Sequence, residues 1–257
     1  MQDLVSIIMP AYNCEKYITQ AINSVIAQSY QNFELIIIDD CSNDNTVEII
    51  KELCKNDNRI KTYFNEKNIG VAATRSRGVS LANGEWIAFI DSDDCWEKRK
   101  LDKQVDCITT NNAEFVFTGS SFIDELSNPY NAIFEVPYTV NYKQLLKQNV
   151  ISCSSVLIMK SYMEMFNMDN DNTHEDYSAW LRILKTIPFA YGINEPLLIY
   201  RITRTSKSGN KLKSLMMAYR TYRYVGLGLI SSCYYMCWYI VRGIRKYKKI
   251  KRKEHTA

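Results

Sequence analysis

Two apolar runs, Leu35-Ile36-Ile37-Ile38 and Ile87-Ala88-Phe89-Ile90, each break off into carboxylates: Asp39-Asp40 after the first, Asp91-Ser92-Asp93-Asp94 after the second. Continuous apolar runs without polar alternation suit strands covered on both faces, as in a parallel sheet between two layers of helices. The segments around them agree. Val5–Met9 reads as a first strand stopped by Pro10, and Asn13 is placed to cap a helix whose apolar stripe is Ile18, Ile22, Val25 and Ile26. Ser42 and Asp44 open a second helix through Val47, Ile50 and Leu53. Ile60–Phe64 is a third strand, Gly70 leads into a helix over Val71–Leu81, and Asn83-Gly84 turns the chain into a strand over Glu85–Ile90. Strand alternating with helix predicts an α/β fold with a mainly parallel sheet.

In such sheets ligands sit in the crevice outside the carboxyl ends of the strands. Both acid clusters fall there. If the chain stays extended past Ile90, Asp91 and Asp93 project to the same side and can share one hard divalent cation. Mg²⁺ or Mn²⁺ takes a few carboxylate oxygens together with substrate phosphates, so a phosphate ester is the implied partner. The plainer reading of Asp91–Asp94 is a polar turn capping the next helix. Two acid clusters at two strand ends favour the site over the cap. No Gly-x-Gly-x-x-Gly follows the first strand and no Gly-x-x-x-x-Gly-Lys-Ser/Thr occurs anywhere, which removes the dinucleotide fold and the P-loop.

Composition bounds the rest. With 46% hydrophobic residues in 257, the chain can bury a sizeable core. The net charge of +4 conceals an asymmetry: residues 1–200 carry 17 Lys/Arg and 27 Asp/Glu, whereas residues 201–257 carry 15 and one. A basic tail on an acidic body points to a polyanion, either a membrane surface or nucleic acid. Eight scattered cysteines without a Cys-x-x-Cys pair, and two histidines, argue against a zinc site and a disulfide framework. The apolar run Leu4–Met9 is too short for a secretory leader and lacks a basic start, so the body is expected in the cytoplasm.

Further along, Lys98–Thr110 reads as a helix, Glu114–Thr118 as a strand, 119–150 as irregular, and Ser155–Met159 as a strand. At Thr173–Leu184, Glu175 and Asp176 stand in a first helical turn, where acids complement the helix dipole.

Taken together, Val-Ser-Ile-Ile-Met-Pro-Ala-Tyr-Asn, Ile-Ile-Asp-Asp-Cys-Ser-Asn-Asp, Asn68-x-Gly70 with Arg75, Gly84-Glu85-Trp86-Ile87 leading to Asp-Ser-Asp-Asp, and Glu175-Asp176 resemble the family 2 glycosyltransferases. The likeness is strong over residues 4–110, weaker to about 205, and absent beyond. It implies an inverting enzyme of the GT-A fold acting on a nucleotide-diphosphate sugar. By position, it implies that Pro10, Ala11 and Tyr12 line the nucleotide and that Asp40, with Asp39 beside it, reads the uracil edge. Arg75 lies near the ribose and phosphates. Asp93 is the implied metal ligand, Asp91 serves the ribose side or the metal, Asp94 shares either role, and Ser92 between them belongs with the donor contacts. Asp176 is the implied catalytic base, with Glu175 as the fallback. Cys41 and Ser76 stand where the family often has Gly and Asn, which touches only local loop geometry. Arg201 either closes over the diphosphate or is a solvated arginine at a strand end.

These residue types suit the reaction. A divalent cation, Mn²⁺ or Mg²⁺, stabilises the departing diphosphate, and a carboxylate takes the proton of an acceptor hydroxyl. The implied organisation is a catalytic domain over 1–205, with a nucleotide-sugar half (1–110) and an acceptor half (111–205), then a helical, membrane-associating tail over 206–257. Within that tail, residues 225–241 carry no charge and are followed by eight Lys/Arg. Seventeen helical residues reach about 25 Å, short of a bilayer core of roughly 30 Å. Basic residues on both flanks also disfavour a span. An in-plane segment on the inner face of the cell membrane fits better, and packing on the catalytic domain is the alternative. The expected acceptor is then a glycan or polyprenyl-diphosphate-linked oligosaccharide of a surface polysaccharide. Nucleic acid is not an expected partner, for want of a binding module. The rivals are a sugar-phosphate nucleotidyltransferase, which would release pyrophosphate, and a catalytically silent scaffold, which has no use for a separate base.

Overall fold

The computed structural model describes residues 3–55, 57–168, 170–203 and 211–254; the expected boundary at 205/206 lies outside the described residues. In chain order the elements are β1 (Val5–Ala11), α1 (Ile18–Ile26), β2 (Phe33–Asp39), α2 (Thr46–Leu53), β3 (Ile60–Phe64), α3 (Val71–Leu81) and β4 (Trp86–Phe89). There follow β5 (Cys95–Trp96), α4 (Lys100–Asn111), β6 (Phe115–Ile123), β7 (Pro129–Phe134), β8 (Thr139–Val140), α5 (Tyr142–Lys147), β9 (Leu157–Met159) and α6 (Lys160–Met165). The chain continues with α7 (Glu175–Ile183), β10 (Ala190–Arg201), α8 (Lys211–Tyr224) and α9 (Leu229–Glu254).

One sheet carries them in the order β3-β2-β1-β4-β9-β6-β10-β5, with β7 on β6 and β8 on β10. β3, β2, β1 and β4 are mutually parallel. β9 enters antiparallel between β4 and β6, so β6 and β10 again run in the direction of β4. The sheet is thus mostly parallel, with the expected α/β layering.

The strand periodicity divides the core in two. Ile8, Ile36, Ile38, Ile87 and Phe89 face α3, α6 and α7, whereas Ile7, Leu35, Ile37, Ala88 and Ile90 face α1 and α2. Every residue of β1 and β2 is buried, which is why these strands read as continuous apolar runs. α3 lies so close over β1 that a Cβ at Gly78 would meet the Ile8 side chain at 2.4 Å.

Several expectations need correction. β1 runs through Pro10 to Ala11. The Ile8 carbonyl accepts from Ile90 N–H, so Pro10, two residues on, faces the same side just past the end of the β1/β4 pairing, where no N–H is needed. Asn13 does not cap α1: it has φ +47° and its Oδ1 accepts from Asn43 N–H (2.8 Å), tying two loops together, and the helix begins only at Ile18. The strand expected from Ser155 starts at Leu157, after a 3-10 turn over Cys153–Ser155. The stretch 119–150 holds the end of β6, then β7, β8 and α5.

The tail folds back. Leu227, Tyr235, Met236 and Tyr239 pack on the core cluster under α7, while Leu229, Ile230, Tyr234, Trp238, Ile240 and Val241 are exposed. Among the described residues no helix is long and apolar enough to cross a membrane.

Candidate active site

The carboxyl ends of β1, β2 and β4 open into a cavity of about 820 Å³, walled on its far side by the start of α7 and by residues of β6, β10, α8 and α9. Pro10, Ala11 and Tyr12 line it from the end of β1. From β2, Asp40 reaches the wall while Asp39 turns back to accept from Ser42 N–H (3.0 Å) as a local cap. Asp40 is 4% exposed and accepts from Asn65 Nδ2 (2.7 Å), Ile69 N–H (2.9 Å) and Gly70 N–H (2.9 Å). It therefore shapes the loop that starts α3, where Gly70 stands at φ +86°, a conformation glycine adopts without strain. Cys41, beside it, sits at φ +66°. That is the conformation in which glycine has no side-chain penalty.

Arg75 comes from α3 and is buried under the cavity. Its Nη1 donates to Glu175 Oε1 (2.9 Å) and its Nη2 to Asp91 Oδ1 (2.5 Å), joining the end of β4 to the start of α7. Its Nε has no partner among the described residues, leaving a buried donor for a ligand oxygen.

After Ile90 the chain turns rather than staying extended, closed by Asp94 N–H on Asp91 C=O (3.0 Å). The three acids consequently part. Asp91, Ser92 and Asp93 line the cavity, whereas Asp94 is 1% exposed, with Oδ2 accepting from Ser154 Oγ (2.6 Å) and Oδ1 from Arg201 N–H (3.0 Å). Ser154 Oγ also accepts from Asp91 N–H (3.0 Å). Burial and then the Asp91 charge push the Asp93 carboxyl up to about 6. No donor from another described residue reaches that carboxylate. Among the described residues no three acid, His or Cys side chains converge into a preformed metal cage. Asp91 and Asp93 together fit a cation of the Mg²⁺/Mn²⁺ kind, which completes its shell with water and phosphate oxygens.

Arg201 is not solvated. It is 1% exposed, donates to the Asp93 carbonyl (2.9 Å), the Asp124 carbonyl (2.9 Å) and Ser127 Oγ (2.9 Å), and packs on the Tyr17 ring. It holds the acidic turn from below.

Glu175 and Asp176 both reach the cavity at the start of α7. Glu175 is taken by Arg75. Burial, followed by the Glu175 charge, raises the Asp176 carboxyl.

The sequence reading passed over other lining groups. Ser120, with a buried hydroxyl lacking a partner among the described residues, and the Phe122–Tyr200 pair (6.1 Å, edge to face) form the wall from β6 and β10. Ser214 of α8 and Tyr239 of α9 close another side. Ser154 carries no local signal, because its role depends on a turn more than fifty residues away.

The sequence profile described as Glycosyl transferase family 2 matches residues 6–166. The chain belongs to that family. Among curated proteins, this glycosyltransferase is 38% identical over 220 residues to a Bacillus subtilis (strain 168) glycosyltransferase of teichuronic acid biosynthesis, TuaG, covering 86% of this chain and 87% of that one. It is 36% identical over 246 residues to an Escherichia coli UDP-Glc:alpha-D-GlcNAc-diphosphoundecaprenol beta-1,3-glucosyltransferase, WfgD, covering 95% of each. Of solved structures, S. aureus TarS 1–349 in complex with UDP-GlcNAc superposes with a TM-score of 0.70 at 19% identity, covering 90% of this chain and 70% of that one. The Pyrobaculum calidifontis mannosyltransferase PcManGT, in complex with GDP-Man and Mn²⁺, gives 0.66 at 13% identity, covering 93% and 69%. Both structural likenesses establish the α/β fold.

Proposed function

We propose that this glycosyltransferase moves a sugar, with inversion, from a UDP-linked donor to a hydroxyl of a polyprenyl-diphosphate-linked glycan in surface polysaccharide synthesis. The observation that carries the reading is the presence, in one cavity, of an acid pair suited to a divalent cation and of a separate half-buried acid, Asp176, with raised proton affinity. The names of the UDP-glucose and diphosphoundecaprenol relative support the donor and acceptor classes.

Asp91 and Asp93 would hold Mn²⁺ or Mg²⁺ against the diphosphate, and when bound the ion stabilises the negative charge on the departing phosphate. Pro10, Ala11 and Tyr12 bed the nucleotide, with Asp40 and its loop at the base end. Arg75 keeps Asp91 and Glu175 in place and offers its free Nε to the donor. A carboxylate whose proton affinity lies nearer neutral pH is a better general base than an ordinary one. Asp176 takes the acceptor proton. Glu175, held by Arg75, keeps the helix start fixed and raises its neighbour. Asp94 and Arg201 position the turn from below. In this reading residues 1–110 bind the donor, 111–205 the acceptor, and 206–257 seat the enzyme on the inner membrane face.

Binding of a panel of nucleotide-diphosphate sugars, with and without Mn²⁺, tests the donor side. One UDP-sugar should bind in a metal-dependent way and lose that dependence in Asp93→Asn. With acceptor present, Asp176→Asn should keep donor affinity and lose roughly 10²–10⁴-fold in kcat. Release of pyrophosphate in place of a nucleoside diphosphate, or an Asp176→Asn enzyme within tenfold of wild type, would overturn the reading.

A further inference from the structure

Asp176 is placed by its backbone. Among the described residues its carboxylate accepts only from the next N–H along the chain, that of Tyr177 (2.7 Å), and no side chain holds it. What fixes the first turn of α7 therefore fixes this carboxylate. On one side Glu175 is held by Arg75 (2.9 Å), a single point about which the turn can still pivot. The residue before it, His174, supplies the rest, and its partners come from α8.

The His174 N–H donates to Thr221 Oγ1 (3.1 Å), whose own proton goes to the Met217 carbonyl (2.9 Å), leaving a lone pair for His174. The ring nitrogen Nε2 lies 3.1 Å from the Ser214 carbonyl and 3.3 Å from Ser214 Oγ. A carbonyl oxygen has only lone pairs to offer, so Nε2 carries the proton in this contact. The His174 carbonyl accepts from Ser178 N–H (2.9 Å), the bond that opens α7. Deeper in, the buried Tyr177 and Tyr222 hydroxyls, 3.3 Å apart, are anchored on the Leu145 (2.9 Å) and Leu146 (2.8 Å) carbonyls of α5, which brings α8 against α7 a second time. α8 lies beyond residues 6–166, which match the family profile, and beyond the catalytic domain expected over 1–205. The hairpin that it makes with α9 nonetheless reaches the reaction cavity through Ser214 and Tyr239.

We propose that His174 is a positioning residue for the transfer, the joint through which α8 sets the first turn of α7 and with it the Asp176 carboxylate. This rests on Asp176 as the base, proposed above. The catalytic unit then extends through α8, and the inner face of the hairpin serves the reaction. A displacement of about 1 Å in a reacting group costs on the order of 10²-fold in rate, so a joint two residues from the base is felt in kcat. The nucleotide and the metal turn are held by β1, β2 and β4 and do not depend on it.

The test uses the full chain in detergent micelles, so that docking to a bilayer plays no part, with the UDP-sugar that binding selects as donor and a lipid-linked sugar diphosphate as acceptor. Gln carries an N–H at the same number of bonds from the backbone as His Nε2, whereas Asn carries one a bond short. His174→Leu and His174→Asn should each lower kcat about 10²-fold, with the Mn²⁺-dependent affinity for UDP and the acceptor KM within about threefold of wild type. His174→Gln should bring kcat back to within about fivefold of wild type, because the bond to the Ser214 carbonyl is remade. Thr221→Val keeps the shape and leaves the His174 N–H without its acceptor; it should lower kcat roughly tenfold in the same selective way. A role in folding alone would lower the urea midpoint and UDP affinity together and would not tell Gln from Asn. Wild-type kcat in His174→Leu, or His174→Gln no faster than His174→Asn, while Asp176→Asn is inactive, overturns the inference and leaves the base reading intact. An Asp176→Asn enzyme as active as wild type overturns the base reading and the inference with it.

Discussion

Asp91, Asp93 and Asp94 are near neighbours in sequence, and their surroundings give them separate work. Asp91 is partly exposed and paired to Arg75, Asp93 feels the Asp91 charge and has no donor from another described residue, and Asp94 is held by Ser154 and the Arg201 backbone. Turning a buried acceptor that already holds two donors into a donor costs about 1–3 kcal/mol. Asp94→Asn is therefore expected to lower the unfolding free energy by that amount in urea titrations while changing metal-dependent donor affinity only a few-fold. Asp93→Asn should do the opposite. If Asp94→Asn abolishes metal-dependent binding at unchanged stability, Asp94 is a ligand and the assignment of the turn is wrong. The sequence brought these acids to one strand end but left their division of labour open. That division is decided by which of them meets Ser154 and Arg201, and both partners arrive from distant segments.

Among the elements, β2 depends on one charged residue that no motif marks. Glu34 lies in the sheet with 6% of its side chain exposed and accepts from Ser6 Oγ (2.6 Å), Lys61 Nζ (2.6 Å) and Asn83 N–H (2.6 Å). It staples β1, β3 and the turn before β4. Burial alone would raise its carboxyl, but the donors from Lys61, Ser6 and Asn83 outweigh burial and hold it down to about 2. Between that value and the ordinary one the unfolded chain binds more protons at this site, so stability rises with pH there. Glu34→Gln is expected to cost about 2–3 kcal/mol at pH 7, at about 1.4 kcal/mol per unit of pKa. The deficit should be constant above about pH 4.5 and close as pH falls towards 2. A deficit unchanged at pH 2.5 would assign the loss to packing, not charge. The same sheet shows where sequence reading succeeds. β1, β2 and β4, with α1 and α2, were legible because buried strands appear as unbroken apolar runs and these two helices carry clear stripes. β5, β7 and β8 are short or partly exposed, and β10 is interrupted by a register shift between Ile193 and Leu198, so their pattern emerges only from partners distant in sequence.

For the whole molecule, the question is how the catalytic body meets its substrate. Over residues 229–241, its first half, α9 carries no charge on either face. A single sequence stripe cannot tell a buried face from an exposed one, and for this reason packing and surface lying stood as alternatives for residues 225–241. The structure shows the packing, with Tyr235, Met236 and Tyr239 inward, and leaves Ile230, Tyr234, Trp238 and Val241 exposed outward. Trp238 also has Lys147 and Arg242 at 5.4 Å from its ring, cations beside an exposed indole. These groups suit the proposed contact with an anionic lipid surface, in which the apolar ring would sit at the headgroup level and the charges on the phosphates. The chain supplies its own reporter for that contact. Of its four tryptophans, Trp86, Trp96 and Trp180 are 7%, 3% and 0% exposed, and Trp238 alone is 36% exposed. Adding vesicles that contain anionic lipid should therefore shift the tryptophan emission to the blue, and the shift should vanish in Trp238→Phe. Neutral vesicles should give a smaller shift. High salt should reduce it, since attraction between the basic tail and the lipid is screened within about 10 Å at 0.1 M. Emission that ignores anionic vesicles while the protein still transfers sugar to a lipid-linked acceptor in micelles would separate the two roles of the hairpin, keeping its inner face in the reaction and removing its outer face from the membrane.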